Sequence, residues 1–216
     1  MGGGAASEVV VATHAAVLPA GGEPVEPDAV SARFFSGRTL IGAAVAGAAV
    51  ALTDFRIHRD GFGRLLVLDR GMTRRQAGRT VQRLLEIDTY RMLALLTLPV
   101  ARELSPVLTG YERELAEITT ALTDVGEADS HYRFSAAAAY HELVTRRIEE
   151  LREERVPGLQ TFGEFTGRRL APAMNTCRAT ATRQESLSER WRGRRSFSPP
   201  GSTSPAPART RRCWSR

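Results

Sequence analysis

The sequence predicts an α+β fold in which a small antiparallel sheet layer precedes a long helical hairpin or bundle. Short β-branched or alternating segments separated by glycine turns fill the first third of the chain, apolar residues then recur at helical spacing, and the end of the chain has no apolar periodicity. We divide the 216 residues into a disordered start, an incomplete α+β layer, a helical part and a disordered Arg/Pro/Ser-rich tail, at 1–7, 8–71, 72–190 and 191–216.

The net charge of +6 comes from one end of the chain. All 30 basic residues are arginine, and seven of them lie between Trp191 and Arg216, where there is no acidic residue. Residues 1–190 carry 23 arginines against 24 acidic residues. The basic character therefore belongs to the tail, whose Pro, Ser and Gly content predicts disorder. Nucleic-acid binding through that tail is an alternative function, and we consider it unlikely to be the main one because the folded part is not basic.

The tail interrupts a helical pattern that reaches Leu187. Back-translation with GC-rich codons in another frame gives an amphipathic string that continues this pattern without proline or glycine. We therefore hypothesise that residues 191–216 are the product of a frameshift and that the natural chain is longer at both ends. The alternative is a native, disordered arginine-rich arm.

Three strands and one short helix are predicted before residue 54. The β-branched stretch from Glu8 to Leu18 predicts a buried strand, and its pairing partner is expected to be missing from the chain. Asp28 can cap a short helix that ends near Phe35. The uncharged residues from Thr39 to Thr53 are too few for a membrane span and predict two short strands that meet at a Gly-Ala turn.

A hairpin is the clearest local prediction of this layer. Phe55 and Ile57 alternate with polar residues on one arm, and Leu65 and Val67 do so on the other. Asp60-Gly61 between them supplies residues that tolerate a positive φ.

Beyond Gly71 the pattern is helical. Thr73 and Gln76 have the spacing of a capping box and predict a helix start. Pro99 is expected to kink or end this helix, and a new one is expected near Ser105-Pro106. Its apolar residues follow the 3-4 spacing of a helix-hairpin seam: Leu108, Tyr111, Leu115, Ile118, Leu122 and Val125.

Two further helices complete the predicted bundle. A turn at residues 126–130 leads into a long helix that Pro157-Gly158 breaks. Thr161 and Glu164 form another possible capping box, and Pro172 is expected to interrupt the helix that follows. Short turns between such helices predict antiparallel packing.

No arrangement of residues predicts catalysis, so we assign no catalytic, cofactor-binding or metal-binding residue. The histidines His14, His58, His131 and His141 lack the spacing of a zinc site. His58 lies near Asp54 and Asp60 and could serve acid–base chemistry, but an exposed strand residue beside a turn is the favoured interpretation. The absence of lysine excludes a Walker-type motif and Schiff-base chemistry within this chain.

Two other features have both a functional and a structural interpretation. A basic strip on the first long helix could contact phosphate, lipid headgroups or acidic partners, but ion pairs with Glu86, Asp88 and the later Glu-rich helix are favoured; the strip consists of Arg74, Arg75, Arg79 and Arg83. Cys177 lies on an apolar helix face, where a free cysteine acts as a small hydrophobic residue.

The segment from Thr53 to Arg102 resembles the uncharacterised membrane-anchored bacterial proteins of domain-of-unknown-function family thirty-four twenty-two. The stretches YRFSAAAAYHELVTRRIEELREERVPGLQTFGEF and RRLAPAMNTC extend the resemblance, which covers roughly Glu8 to Arg190. It implies a longer protein with additional sequence before the first strand and a hydrophobic, membrane-anchoring segment after the helices. The family has no established activity, so it implies no catalytic residue.

These observations favour a non-enzymatic scaffold or interaction module, the aqueous part of a membrane-anchored protein. Seam-like helices predict self-association of residues 73–190 or packing on partner helices. An alternative, by fold-level analogy alone, is the soluble part of a magnesium-channel-like divalent-cation transporter. The chain as written is expected to be soluble and cytoplasmic, without a cofactor, and its small-molecule substrate, if any, is unknown.

Overall fold

A computed structural model describes residues 9–117 and 127–195 and confirms the predicted α+β class. Its five strands form one sheet of order β1-β4-β3-β2-β5: β1 (Thr13–Pro19), β2 (Ile41–Val45), β3 (Ala49–Thr53), β4 (Gly63–Asp69) and β5 (Glu154–Arg155). Its helices are α1 (Pro27–Phe34), α2 (Arg74–Leu95), α3 (Thr97–Glu117), α4 (Glu127–Leu151) and α5 (Phe162–Arg195). The predicted disordered start, most of the predicted tail, and the seam positions Ile118, Leu122 and Val125 lie outside the described residues.

The sheet has an apolar core on each face because its central strands alternate side chains between the two faces. On one face, Ala51 and Val67 pack with residues of α2, α4 and α5. On the other face, Leu52 and Leu66 pack with Phe35 and with the α1 helix. The result is a sheet between one short helix and the helical bundle.

The sheet is mixed rather than wholly antiparallel. Strands β2, β3 and β4 form the predicted antiparallel ladder, with Ala49–Thr53 facing Leu65–Asp69 in reverse order. Strand β1 runs parallel to β4, however, and β5 adds two residues beside β2. The prediction that the first strand is buried is also wrong, because β1 is an edge strand that is exposed over most of its length.

A hairpin that ends in β4 is present, but its first arm is β3 and not the predicted arm with Phe55 and Ile57. Strand β3 ends at Thr53, and Phe55 has a φ of +49°, which takes the backbone out of the strand conformation. Residues 54–62 therefore form a connecting loop instead of an arm and a tight turn. The Gly-Ala turn between β2 and β3 is confirmed, with Ala46 and Gly47 at positive φ.

Helix α1 confirms the predicted short helix but not its cap. The N-cap residue is Glu26, whose side chain makes no capping hydrogen bond, and Pro27 occupies the first turn. Asp28 lies inside the first turn, where its negative charge interacts favourably with the positive end of the helix dipole. The capping boxes at Thr73–Gln76 and at Thr161–Glu164 are both present.

The bundle is up–down–up. Thr97 near the start of α3 donates to the carbonyl of Arg133 in α4, while Arg83 of α2 pairs with Glu150, so α4 runs antiparallel to α2. Helix α5 then returns along α4, and its residue Arg183 binds α3. Helices α2 and α3 follow one another in the same direction as one stretch, so antiparallel packing is confirmed between this stretch and α4 and between α4 and α5.

The prolines divide the helices differently from the prediction. The break after α2 falls at Leu96, and Pro99 lies in the first turn of α3, where its missing N–H costs no hydrogen bond. Pro106 and Pro172 lie inside continuous helices, so the expected restart near residue 105 and the expected interruption at residue 172 are wrong. Helix α5 extends to Arg195, so the first five residues of the expected tail, 191–195, are helical.

Candidate functional site

A cleft opens at the end of the sheet where β1 and β4 begin and β3 ends. Its volume is about 550 Å³, and its walls come from residues 9–12, the loop 54–62 and the middle of α2. This volume lies within the range of pockets that hold small molecules in proteins. We therefore treat the cleft as one of two candidate functional features of the described residues.

Four arginines line the cleft, against a single acidic residue, Asp88: Arg38, Arg56, Arg64 and Arg91. Two of them are already engaged. Arg64 donates to the carbonyl of Phe34 at 2.7 Å, and Arg91 pairs with Asp88 at 2.7 Å. Within the described residues, the guanidinium groups of Arg38 and Arg56 have no hydrogen-bond or ion-pair partner. The cleft is therefore an electropositive site with two uncommitted cations.

Residues of α2 and β1 fix the inner wall of the cleft. Asp88 accepts a hydrogen bond from the Thr13 hydroxyl at 3.1 Å and holds Arg91 with its other oxygen. The Arg91 guanidinium also lies over the ring of Phe55, with its central carbon 4.6 Å from the ring centroid. The Arg91 Nε is buried and has no hydrogen-bond partner among the described residues.

The loop 54–62 is held by a buried Asp54–His58 pair. The His58 Nε2 lies 3.1 Å from an Asp54 carboxylate oxygen, and the two side chains are 3% and 0% exposed. The other Asp54 oxygen accepts from the Arg56 amide, and the His58 amide donates to the Phe62 carbonyl. These bonds replace the strand ladder that the sequence predicted here.

The structure brings His58 to Asp54, as the acid–base interpretation required, but not to Asp60. Asp60 accepts from the Phe62 amide and faces Arg64, and these contacts hold the pKa of its carboxyl below the usual range. The expectation of an exposed strand histidine is wrong, because His58 is enclosed together with Asp54 in the loop that walls the cleft. Neither the His58 Nε2 nor the facing Asp54 oxygen has a hydrogen bond of good geometry among the described residues.

The outer edge of β1 is the second candidate feature. The Ala12 carbonyl accepts from the Gly63 amide at 2.8 Å, and the Ala20 amide donates to the Asp69 carbonyl at 2.7 Å. In a parallel ladder, alternate residues bond to the same neighbour, so the even residues of β1 face β4. The N–H groups of Thr13, Ala15 and Val17 therefore point away from the sheet.

The remaining histidines and Cys177 lie in four different environments. His14 stacks on Phe62 at a centroid distance of 4.2 Å, and His131 faces Glu185 on the bundle surface. Burial, followed by the charge of Arg178, lowers the pKa of His141. Cys177 is buried in the core, as predicted, and burial raises its pKa.

The basic strip on α2 is only partly paired. Arg83 binds Glu150 at 3.2 Å, as the structural interpretation predicted. Arg74, Arg75 and Arg79 have no ion-pair partner in the described part of the chain, and Glu86 and Asp88 pair with Arg147 and Arg91 instead. The predicted pairing of the strip is therefore confirmed only for Arg83 with the later Glu-rich helix. The mixed-sign segment of α4 does form pairs, with Arg147 between Glu86 and Glu150.

Within residues 9–117 and 127–195, no three His, Cys, Asp or Glu side chains are grouped so that they could hold a metal ion. One continuous helical stretch, Arg74–Arg113, is long and apolar enough to cross a membrane by length and composition, and a single stretch of this kind is weak evidence for a span.

No local sequence pattern joins the cleft arginines. They lie on four separate segments, and only the pairing of β1 with β4 and the position of α2 bring them to one opening. The signal available in the sequence is the presence of Arg56 and Arg64 on either side of the predicted turn.

The fold and the two features define a mixed-sheet α+β module with an arginine-lined cleft and an open sheet edge. A family model described as "Protein of unknown function (DUF3422)" matches residues 3–131 and 124–196. The chain belongs to this family. No curated protein and no solved structure matches the chain.

Proposed function

We propose that this part of the chain is a non-enzymatic interaction module that self-associates through the outer edge of β1. The proposal is carried by the outward row of N–H and C=O groups at Thr13, Ala15 and Val17, which has no partner strand among residues 9–117 and 127–195. An unpaired row of this kind is a template for another strand.

The side chains of β1 favour pairing. No charged residue occurs from Val9 to Pro19, and the exposed fractions of Val9 and Val17 are 76% and 42%. Soluble proteins usually protect such an edge with charges, bulges or prolines. Within β1, Pro19 at the end of the strand is the one residue of a type that protects an edge against pairing with another strand.

A second copy of the chain is the occupant that we propose. Two β1 strands related by a twofold axis pair antiparallel, so the outward residues of one copy meet the outward residues of the other. Because β1 is uncharged, this pairing creates no like-charge repulsion. It would join two five-stranded sheets into one continuous sheet.

The burial of the Asp54–His58 pair supports a binding role over an enzymatic one. General acid–base catalysis requires the proton-transferring atom to reach the substrate. The 3% exposure of the His58 side chain does not permit this contact without opening the loop.

We also propose that the module acts at a membrane, because the sequence resemblance implies an anchoring segment in longer relatives. Fractionation of the full-length gene product tests this part. Recovery in the soluble fraction after lysis without detergent would contradict it.

The edge proposal is tested by Val17→Pro, with Val17→Thr as the matched control. Proline removes an outward N–H and leaves the bonds of β1 to β4 intact, whereas threonine keeps the N–H and the strand preference. We expect the unaltered chain and Val17→Thr to be dimeric in size-exclusion chromatography with light scattering. We expect Val17→Pro to be monomeric with an unchanged circular dichroism spectrum.

Two results would contradict the proposal. One is a monomeric unaltered chain at the highest soluble concentration. The other is a folded Val17→Pro variant that still dimerises, which would transfer self-association to the helical part. The exposed apolar side chains there are Leu96, Val107 and Tyr132.

A further inference from the structure

We propose that the arginine-lined cleft binds the phosphate group of a small amphipathic anion, such as a phosphate monoester that carries an alkyl chain. This inference is independent of the proposed self-association. It depends on the charge of the cleft, on its apolar lining and on the way its wall is held.

The charge of the cleft exceeds what a single carboxylate would neutralise. Of the four arginines, Arg91 pairs with Asp88 and Arg64 faces Asp60, which lies just outside the lining, whereas Arg38 and Arg56 have no partner among the described side chains. Guanidinium groups bind phosphate oxygens through paired N–H donors, and a phosphate monoester carries nearly two negative charges at neutral pH. A dianionic group therefore suits the cleft better than a carboxylate.

The apolar part of the lining indicates an attached hydrocarbon group. Val10, Ile57 and Met92 border the same opening as the arginines. Ile57 is 65% exposed, although the backbone amides of Arg56 and His58 on either side of it are hydrogen-bonded within the loop. Pockets of this kind combine an apolar wall with a few polar groups that fix the orientation of the ligand.

The wall of the cleft is prepared in advance. Phe55 holds a positive φ that is rare for an aromatic residue, and its ring stacks on Phe165 at a centroid distance of 5.0 Å. The buried Asp54–His58 pair then fixes the backbone on either side of Arg56. Backbone strain of this kind is often found where a site must keep one geometry before its ligand arrives.

Arg91 is a fixed charge at the border of the cleft. Asp88 pairs with its guanidinium at 2.7 Å, and the ring centroid of Phe55 lies 4.6 Å from its central carbon. The Arg91 Nε is fully enclosed, so Arg91 would favour an anion in the cleft through its charge, and Arg38 and Arg56 would make the direct contacts with the phosphate oxygens.

Three probes distinguish the possible sources of the phosphate group. Isothermal titration of the full chain would use inorganic phosphate, monomeric dioctanoyl phosphatidic acid, and phosphatidylcholine vesicles with and without phosphatidic acid. We expect the short-chain lipid to bind more tightly than inorganic phosphate and to be displaced by it. Vesicle binding that requires phosphatidic acid and Arg56 would identify a membrane headgroup as the source, and monomer binding alone would identify a free ester.

The variants Arg56→Gln and Arg38→Gln each remove one uncommitted cation. We expect each to weaken binding of the short-chain lipid about tenfold or more, the effect of losing a charge-assisted hydrogen bond. Arg59→Gln is the matched control because Arg59 is exposed on the same loop but does not line the cleft. We expect it to change the affinity by less than about twofold, the typical effect of a distant surface charge.

Three outcomes would overturn the inference. They are no binding of the short-chain lipid, equal losses in Arg56→Gln and Arg59→Gln, and binding to vesicles without binding to the monomeric lipid. The last two would indicate attraction to overall surface charge instead of a site. Val17→Pro is expected to keep the affinity, so failure of the self-association proposal leaves this test unaffected.

Discussion

At the scale of single residues, Gly42, Phe55 and His141 each occupy a position with a particular local constraint. Gly42 lies in β2 directly under β3, and a methyl group there would stand 2.5 Å from the Ala51 carbonyl oxygen. Phe55 is the opposite case, since a large ring is held at a positive φ by its neighbours. His141 is polar but half-buried between α4 and α5.

Gly42→Ala is expected to lower the free energy of unfolding by about 1–3 kcal/mol, because backbone oxygen atoms cannot move aside. Gly78→Ala is the matched control, since no atom lies within 4 Å of the added methyl group in α2. There we expect a gain of about 0.5–1 kcal/mol, the usual benefit of replacing glycine inside a helix. Urea unfolding measures both, and a neutral Gly42→Ala variant would contradict the predicted clash.

His141 gives the protein a stability loss on mild acidification. Its pKa is lowered from 6.5 by burial and then by Arg178, so the unfolded chain binds the proton first as the pH falls. The free energy of unfolding should therefore decrease as the pH drops below 6.5 and level off once it passes the folded-state pKa.

We expect His141→Gln to flatten this slope while the exposed His14→Gln control retains it. Urea unfolding at a series of pH values above the carboxylate range provides the measurement. Equal slopes in the unaltered chain and in His141→Gln would show that another group carries the linkage.

At the scale of elements, side-chain caps fix where the helices begin, and polar contacts fix how they meet. Thr73 and Gln76 satisfy each other's backbone amides at the start of α2. Helix α5 begins with the capping box of Thr161 and Glu164. The Glu153 carboxylate also accepts hydrogen bonds from the Phe162 and Gly163 amides at this helix start. Further along, Arg183 of α5 binds three residues of α3.

Thr73→Ala is expected to cost about 1 kcal/mol of stability, because the amide of Gln76 loses its acceptor at the start of α2. Thr145→Ala is the control, since the Thr145 hydroxyl only bonds back to the His141 carbonyl within α4. Thermal unfolding monitored by circular dichroism compares them. Equal unfolding temperatures for Thr73→Ala and Thr145→Ala would mean that packing, and not the cap, fixes the start of α2.

Arg183 joins α5 to α3 through two contacts with the Glu112 carboxylate at 3.0 and 2.8 Å. A double-mutant cycle of Arg183→Gln and Glu112→Gln should give a coupling of about 0.5–1 kcal/mol, the range for a partly exposed pair. Arg183→Lys should lose most of it because lysine cannot make the paired contact. A coupling near zero would show that the Arg183–Glu112 pair does not stabilise the contact between α5 and α3.

At the scale of the whole molecule, the sheet and the bundle share one core. Ile41, Ala43 and Val45 of β2 belong to the same buried cluster as Val144 of α4 and Phe162 of α5. Strand β5, which follows α4, joins the sheet itself. The α+β layer and the helices, which the sequence divides at residue 72, are therefore joined by packing and by hydrogen bonds.

This shared core predicts a single cooperative unfolding transition. Far-UV circular dichroism follows mainly the helices, and hydrogen exchange of the β3 amides follows the sheet, so the two midpoints in urea should coincide. A chain cut after Gly71 should yield a sheet fragment that does not fold alone. Separate midpoints would instead support two independent domains.

Several features could be predicted from neighbouring residues alone. The uncharged segment with its Gly-Ala turn predicted β2 and β3, Leu65 and Val67 predicted β4, and the capping boxes at Thr73 and Thr161 predicted the starts of their helices. The alternation at Phe55 and Ile57, in contrast, predicted a strand arm where the structure has a loop. Each of the correct predictions depends on contacts within a few residues, where backbone geometry and capping leave few alternatives. The family resemblance was also available from the sequence, and the family match confirms it.

The contacts between distant segments could not be predicted from the sequence and are visible only in the folded chain. Strand β1 was free by its local pattern to pair antiparallel or to be buried, and its parallel place beside β4 exposes its edge and opens the cleft. Pro106 and Pro172 stay inside helices because packing on neighbouring helices outweighs a local propensity. Strand pairing and helix docking depend on hydrogen bonds and buried area between residues far apart in the chain, and no local pattern carries that information.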